Sequence, residues 1–417
     1  MPKFIHVADL HLDSPMRGLP DYPGAPLEEI RGATRTALER LVTLALDEAV
    51  DLVLIAGDLY DGDWKDYHTG LFLAAQMSRL REAGIKVVIA SGNHDAASQI
   101  TRHLQLPDNV TRLSTKHSES IVFDDYGVVV HGQGFDSRHV TENVVPAYPA
   151  ARPDLFNIGM LHTSAGCTGH DEYAPCRQQD LLDRGYQYWA LGHIHRYEAL
   201  SADPWIVFPG NPQGRHIRET GPKGCVVVTV DEGAVQVERC HLAVVQWELC
   251  SVSSADCHDG YGLLERMRAR VEQMLDECSA PTLAMRVLIT DDSPAREQFL
   301  AGPERWLNEA RQVVTDAGAG AAWLEKLRVE SVASDAPVLA KSLPDGSAVE
   351  ILQTADLLPA SMAALTDDPA LQDLLAKLPR ELREPPDGLD LSGDVLSQLV
   401  PRARALLLSG VETRGDE

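Results

Sequence analysis

The chain has 417 residues, 44% hydrophobic and 24% charged, with 31 Gly and 25 Pro; this length suggests two or three domains, and the composition excludes collagen-like, low-complexity and wholly disordered chains. Acidic residues number 62 against 37 basic, a net charge of −25 that argues for solubility and against unassisted binding to membranes or polyanions. It does not exclude a nucleic-acid enzyme, because bound cations and local basic segments change the field at a site. The seven cysteines form no C-x-x-C pair and fit free thiols, the first residues carry no signal-peptide pattern, and no apolar run of ~20 residues is long enough to span a bilayer. A cytoplasmic protein without a membrane segment is the expectation.

Over residues 1–243, short apolar runs alternate with helical patterns, a layered α/β signature. Strands are expected at 4–8, 52–56, 86–90, 127–131, 156–161, 188–191, 205–208 and 225–230, with helices at 27–49 and 71–83, the second closed by Gly84. Residues 244–335 read as a small α/β domain, with strands at 246–252, 282–289 and 327–331 and helices at 261–277 and 296–317. Residues 336–417 read as a helical C-terminal tail: two Leu/Ala-rich segments, 349–382 and 395–408, parted by Pro-Pro-Asp-Gly at 385–388.

Five polar clusters directly follow or end apolar strands: Asp9-Leu10-His11, Gly57-Asp58-Leu59-Tyr60-Asp61, Gly92-Asn93-His94-Asp95, His162, and Gly192-His193-Ile194-His195. Ligands of open α/β sheets bind beyond the carboxyl ends of the strands, so these clusters are expected to share one crevice. It would hold the carboxylates of Asp9, Asp58 and Asp61, the carboxamide of Asn93, and five histidines. So many polar groups need a compensating partner. Mixed imidazole and carboxylate donors suit Mn, Fe or Zn, and the absence of Cys argues against a structural zinc site. The donors exceed one tetrahedral ion and match two ions sharing a carboxylate, the arrangement that clamps the attacking and leaving oxygens of a phosphoester. Each cluster has a plainer reading when taken singly: D-x-H is common, G-D-x-x-D is often a turn, and His193 with His195 could be a packed pair. Five together, each at a strand end, are not what chance supplies.

This series resembles the calcineurin-like metallophosphoesterases, within them the DNA repair exonucleases of the SbcD type, and most closely the bacterial YhaO-type branch. The branch likeness rests on Asp9-Leu-His-Leu-Asp-Ser-Pro15, Gly57-Asp-Leu-Tyr-Asp-Gly-Asp63 and Phe208-Pro-Gly-Asn-Pro-Gln-Gly-Arg-His216, and the motifs cover residues 1–240. The resemblance implies a layered metallophosphoesterase β-sandwich flanked by helices at 1–243, a capping domain at 244–335, and a tail at 336–417 that attaches to a coiled-coil ATPase subunit, SbcC-like or YhaN-like. Resembling enzymes often form homodimers. Asp9, His11 and His195 would hold one divalent ion, and Asn93, His162 and His193 the other. Asp58 would be shared, and Mn(II) is the expected metal. His94 would be the catalytic residue, protonating the leaving oxygen or stabilising the transition state, a role that suits a side chain titrating near neutrality. Archaeal and eukaryotic relatives carry His at the place of Asp61. Here Asp61 is read either as supporting a metal-bound His from behind or as a turn residue.

Arg215 and His216, in the Gly/Pro-rich loop after the strand at 205–208, are candidates for holding flanking phosphates or are surface groups. His6, inside the first strand, is read as packed. The leading expectation is a metal-dependent DNA exonuclease, with endonuclease activity an open extension. The alternatives are a phosphodiesterase of nucleotides or other small phosphoesters, and a non-enzymatic metal-stabilised scaffold for an ATPase.

Overall fold

The computed structural model describes residues 2–14, 25–61, 67–95, 104–167 and 173–330, together with Lys377. Contacts divide the chain into Met1–Val329 and Glu330–Glu417. Apart from Lys377, which is helical, the tail expected over 336–417 lies outside the described residues.

In the first unit, β1 (Lys3–Val7), α1 (Leu27–Asp47), β2 (Leu52–Ala56), α2 (Tyr67–Glu82) and β3 (Lys86–Ala90) follow one another, and the three strands pair in parallel. A short β4 (Val110–Arg112) extends this sheet. Its strands are apolar at both parities because both faces are buried. Ile5, Val7, Val53, Ile55, Val87 and Ile89 lie under Leu38, Leu41 and Val42 of α1 and Leu73, Met77 and Leu80 of α2. Phe4, Leu52, Leu54 and Val88 face the opposite way, toward a second sheet.

That second sheet comprises β5 (Glu119–Phe123), β6 (Val128–Gly132), β7 (Phe156–His162), β8 (Tyr188–Gly192), β9 (Glu198–Ala202) and β10 (Trp205–Phe208), with a short helix α3 (Gln178–Leu182) between β7 and β8. Its order is β5-β6-β7-β8-β10-β9, parallel at the centre and antiparallel at both edges. Val128, Val130, Ile158, Met160, Tyr188, Ala190 and Val207 close the core against the first sheet. The chain then returns: β11 (Gly224–Asp231) pairs antiparallel with β1, and β12 (Ala234–His241) forms a hairpin on it. Two packed sheets with helices outside agree with the layered α/β pattern of the sequence and are the sandwich that the resemblance implies. The strands it did not mark, β4, β5, β9 and β12, lie at sheet edges, half exposed, where no continuous apolar run is needed.

A third, three-stranded parallel sheet contains β13 (Val245–Ser253), β14 (Thr282–Thr290) and β15 (Ala322–Val329), linked by α4 (Gly260–Glu277), α5 (Pro294–Ala301) and α6 (Pro303–Ala317). The single helix expected at 296–317 is in fact two. Pro303 has no N–H and disfavours helical geometry before it, and Gly302 sits at φ −133°, ψ 60°. The last strand starts earlier than expected, because Ala322, Trp323 and Leu324 pair with Leu283, Ala284 and Met285. One face of this sheet, with Val245, Trp247, Ala284 and Trp323, packs on Ile30 and Ala33 of α1 and on Ile217. Among the described residues, no helix is long and apolar enough to cross a membrane.

Candidate metal centre

The polar clusters leave the carboxyl ends of β1, β2, β3, β7 and β8. The exits of β1 and β2 run side by side, with Asp9 N donating to Gly57 O (3.0 Å) and His11 N to Asp58 O (3.0 Å). The chain turns sharply there: Asp9, His11, Asp58 and His193 have φ of 55°, 43°, 50° and 105°. Left-handed backbone at non-glycine residues is costly and gathers at functional sites. Two glycines let the ends of the sheets meet. A Cβ on Gly192 would stand 1.9 Å from Ala56 O, and one on Gly57, at φ 97°, 2.3 Å from His162 Nδ1. His162 Nδ1 instead donates to Ala56 O across 2.9 Å, which turns Nε2 toward the first sheet's carboxylates.

The expected donors come together. His11 Nε2 lies 3.3 Å from His195 Nε2 and 3.8 Å from Asp58 Oδ2, and His195 Nε2 lies 4.0 Å from Asp9 Oδ1. His162 Nε2 lies 2.8 Å from Asn93 Oδ1 and 3.4 Å from Asp58 Oδ2. Asp58 therefore stands between two groups of donors. His193 gives its backbone N–H to both oxygens of Asp9 (3.2 and 3.1 Å), and its ring centroid lies 5.2 Å from that of His162. Among the described residues, three sets, Asp9–His11–His195, Asp9–Asp58–His162 and His11–Asp61–His94, have one donor atom per residue within 4.8 Å of each other.

These residues fit divalent cations. Asp9 and Asp58 are 1% and 2% exposed, and among the described residues neither pairs with a Lys or Arg. Two buried carboxylates in that state are costly without a cation. His11 Nδ1 is buried without a hydrogen-bond partner. The donors are oxygen and imidazole nitrogen, with no thiolate. The field agrees. Burial works against charge on His162, yet the Asp58 carboxylate outweighs it and lifts the pKa to about 9. Burial alone would raise Asp58, but the surrounding imidazoles, His162 foremost, hold it well below the usual carboxylate range.

His94 is placed differently from the donors. Its side chain is 40% exposed, and its Nδ1 lies 2.8 Å from Asp61 Oδ1. Asp61 is 3.9 Å from His11 Nδ1, so its shortest imidazole contact is with His94, and Ser14 Oγ donates to its other oxygen at 2.6 Å. Burial opposes charge on His94, but the hydrogen bond to Asp61 and the charge of Asp58 prevail and raise its pKa. Arg215, 14% exposed, lies 3.0 Å from Glu219 and 3.6 Å from Asp61. His216 is exposed and enters none of the donor sets.

Two further residues matter. Asp95 accepts from Leu59 N, Tyr60 N and Gly92 N at 2.9, 3.0 and 3.0 Å and so locks the exits of β2 and β3 together. Its motif was visible in sequence, its role was not. Glu219 lies 2.6 Å from His195 Nδ1, and no spacing or strand end marked it.

The family model of calcineurin-like phosphoesterases matches residues 2–197, and that of the middle domain of metallophosphoesterase YhaO matches residues 247–332. The chain is 35% identical over 311 residues to the uncharacterized metallophosphoesterase YhaO of Bacillus subtilis, covering 73% of this chain and 75% of that protein. It is 28% identical over 233 residues to a DNA double-strand break repair protein Mre11 of Methanopyrus kandleri, covering 51% of this chain and 49%, about half, of that one. A solved dimetal phosphatase of Danio rerio aligns at 12% identity and a TM-score of 0.37 over 58% of this chain and 96% of its own.

Proposed function

Because the chain belongs to the YhaO-type branch of the calcineurin-like metallophosphoesterases, we propose that this phosphoesterase hydrolyses the phosphodiester bonds of DNA, as a manganese-dependent exonuclease acting in repair of DNA ends. The observation that carries the reading is the meeting of Asp9, His11, Asn93, His162 and His195 from two sheets around Asp58, with His193 beside His162 and His94 half exposed beside them. Asp9, His11 and His195 would hold one divalent ion and Asn93, His162 and His193 the other, with Asp58 shared; such a pair supplies Lewis acidity and activates the attacking water. His94 is engaged at Nδ1 by Asp61, which leaves Nε2 to face the substrate. The Asp61 hydrogen bond and the Asp58 charge raise its pKa against burial and so favour the protonated ring, the form a general acid for the leaving oxygen requires.

DNA as substrate is supported by the likeness to a DNA double-strand break repair protein, which spans about half of that relative. Residues 244–335 would cap the nuclease domain of 1–243 and shape access. The tail at 336–417 would bind a coiled-coil ATPase subunit, and the active form would be a homodimer in the cytoplasm. A second reading, hydrolysis of nucleotides or other small phosphodiesters, is favoured by the net charge of −25.

The test is manganese-dependent cleavage of end-labelled single- and double-stranded DNA beside a small chromogenic phosphodiester, with Asp58→Ala as control. Stepwise shortening of DNA that vanishes in the variant supports the nuclease. Hydrolysis of the small ester alone discards DNA. His94→Ala should retain metal and lose about 10²-fold or more in rate, the scale of a missing general acid; near-normal turnover would remove His94 from its role.

A further inference from the structure

We propose that Glu219 is a positioning residue of the metal centre: its carboxylate orients His195 and, through Arg215, ties that ligand to the Asp61–His94 pair. This rests on the metal reading above and deepens it. An imidazole binds a cation through one nitrogen only, and the partner of the other nitrogen fixes tautomer and ring orientation. His195 Nδ1 meets Glu219 Oε1 at 2.6 Å. Its Nε2 then points at His11 Nε2 (3.3 Å) and Asp9 Oδ1 (4.0 Å).

Glu219 is itself held. It is 7% exposed, and it accepts from Asn211 Nδ2 (3.0 Å), from the backbone N of Arg215 (2.7 Å) and from the Arg215 guanidinium (3.0 Å). The same guanidinium reaches the other side of the site. Its Nη1 lies 3.6 Å from Asp61 Oδ2 and 3.4 Å from Ser14 Oγ. A continuous line of contacts therefore runs from His195 through Glu219, Arg215 and Asp61 to His94. Arg215, considered from sequence as a phosphate holder, spends its guanidinium on two carboxylates. Lys223 steadies the same segment by donating Nζ to His195 O at 2.5 Å. A merely structural Glu–Arg pair would not aim one carboxylate oxygen at a metal-facing histidine.

The experiment is calorimetric titration of Mn(II) into the full chain, for the natural protein, Glu219→Ala and Glu219→Gln, with melting of the metal-free forms in parallel. The natural protein should bind two ions. Glu219→Ala should bind one of them about 10- to 100-fold more weakly, with the other unchanged. Glu219→Gln, which keeps an acceptor for His195 without the charge, should fall between, and it decides the matter if the Ala form does not fold. Wild-type affinity for both ions in both variants overturns the role of Glu219 while the metal site stands. A natural protein that binds no Mn(II) overturns both.

Discussion

His6 shows how one buried side chain makes a fold sensitive to acid. It lies within β1, fully buried, and its neutral form is satisfied twice: Nδ1 accepts from Tyr188 Oη at 2.9 Å, and Nε2 donates to Leu191 O at 3.1 Å. Burial lowers its pKa to about 3, against the small opposing effect of Leu191 O. The unfolded chain, with His near 6.5, therefore binds the extra proton between pH 6.5 and about 3, so the stability His6 contributes is complete above 6.5 and drains away as pH falls. Between pH 7 and pH 5 the loss attributable to His6 is about 2 kcal/mol. Urea unfolding at pH 7, 6 and 5 should show a shallower pH slope for His6→Gln than for the natural protein; parallel slopes would refute the assignment. The sequence placed His6 inside a strand and so as packed. It could not show that Tyr188 and Leu191, from another sheet, are what keep the ring neutral.

At the scale of elements, the site depends on how closely strand ends approach. Gly192 closes β8 against the end of β2, where a Cβ would stand 1.9 Å from Ala56 O and 2.9 Å from His162 Nδ1. Gly192→Ala must separate the two strand ends or break the bond from His162 to Ala56 O. We expect a loss of about 1–3 kcal/mol, the usual cost of overpacking, together with weaker Mn(II) binding. Gly32→Ala in α1, with nothing within 4 Å of its Cβ, is the control; helix propensity favours it by about 1 kcal/mol. Equal behaviour of the two variants in melting and Mn(II) titration would show that the close approach does not shape the site.

At the scale of the molecule, the third sheet is fastened to the sandwich through Trp247. Its ring is buried with Ile30, Ala33 and Trp323, and its Nε1 donates to Gly214 O at 3.0 Å. Gln213 adds a bond from Nε2 to Val245 O at 2.6 Å. The loop carrying Arg215 and Glu219 thus hangs partly on the third sheet. Trp247→Ala should cost about 3–5 kcal/mol and also weaken Mn(II) binding, whereas Trp306→Ala, inside the third sheet's own core, should cost a similar amount and leave Mn(II) binding intact. The paired melting and titration curves check this, and equal losses of Mn(II) affinity in both would break the link.

The sequence by itself determined which segments become the buried strands, because runs such as Leu52–Ala56 must be buried on both faces, and it determined that five of them, β1, β2, β3, β7 and β8, end in polar donors. It also located Asn93 beside His94, and Asp58 three residues before Asp61, since those pairs are local in the chain. The boundary at Pro303 was legible in principle, because the signal is a single residue's missing N–H. Only the tertiary structure decided that the donors come from two different sheets whose carboxyl ends converge, and that Asp58 lies between both groups. It alone brought Glu219 to His195, 24 residues apart, and Arg215 to Ser14, 201 residues apart. Burial and periodicity act along a strand and are written in composition. Which carboxylate meets which imidazole depends on sheet packing and on irregular loops, and no local pattern encodes that.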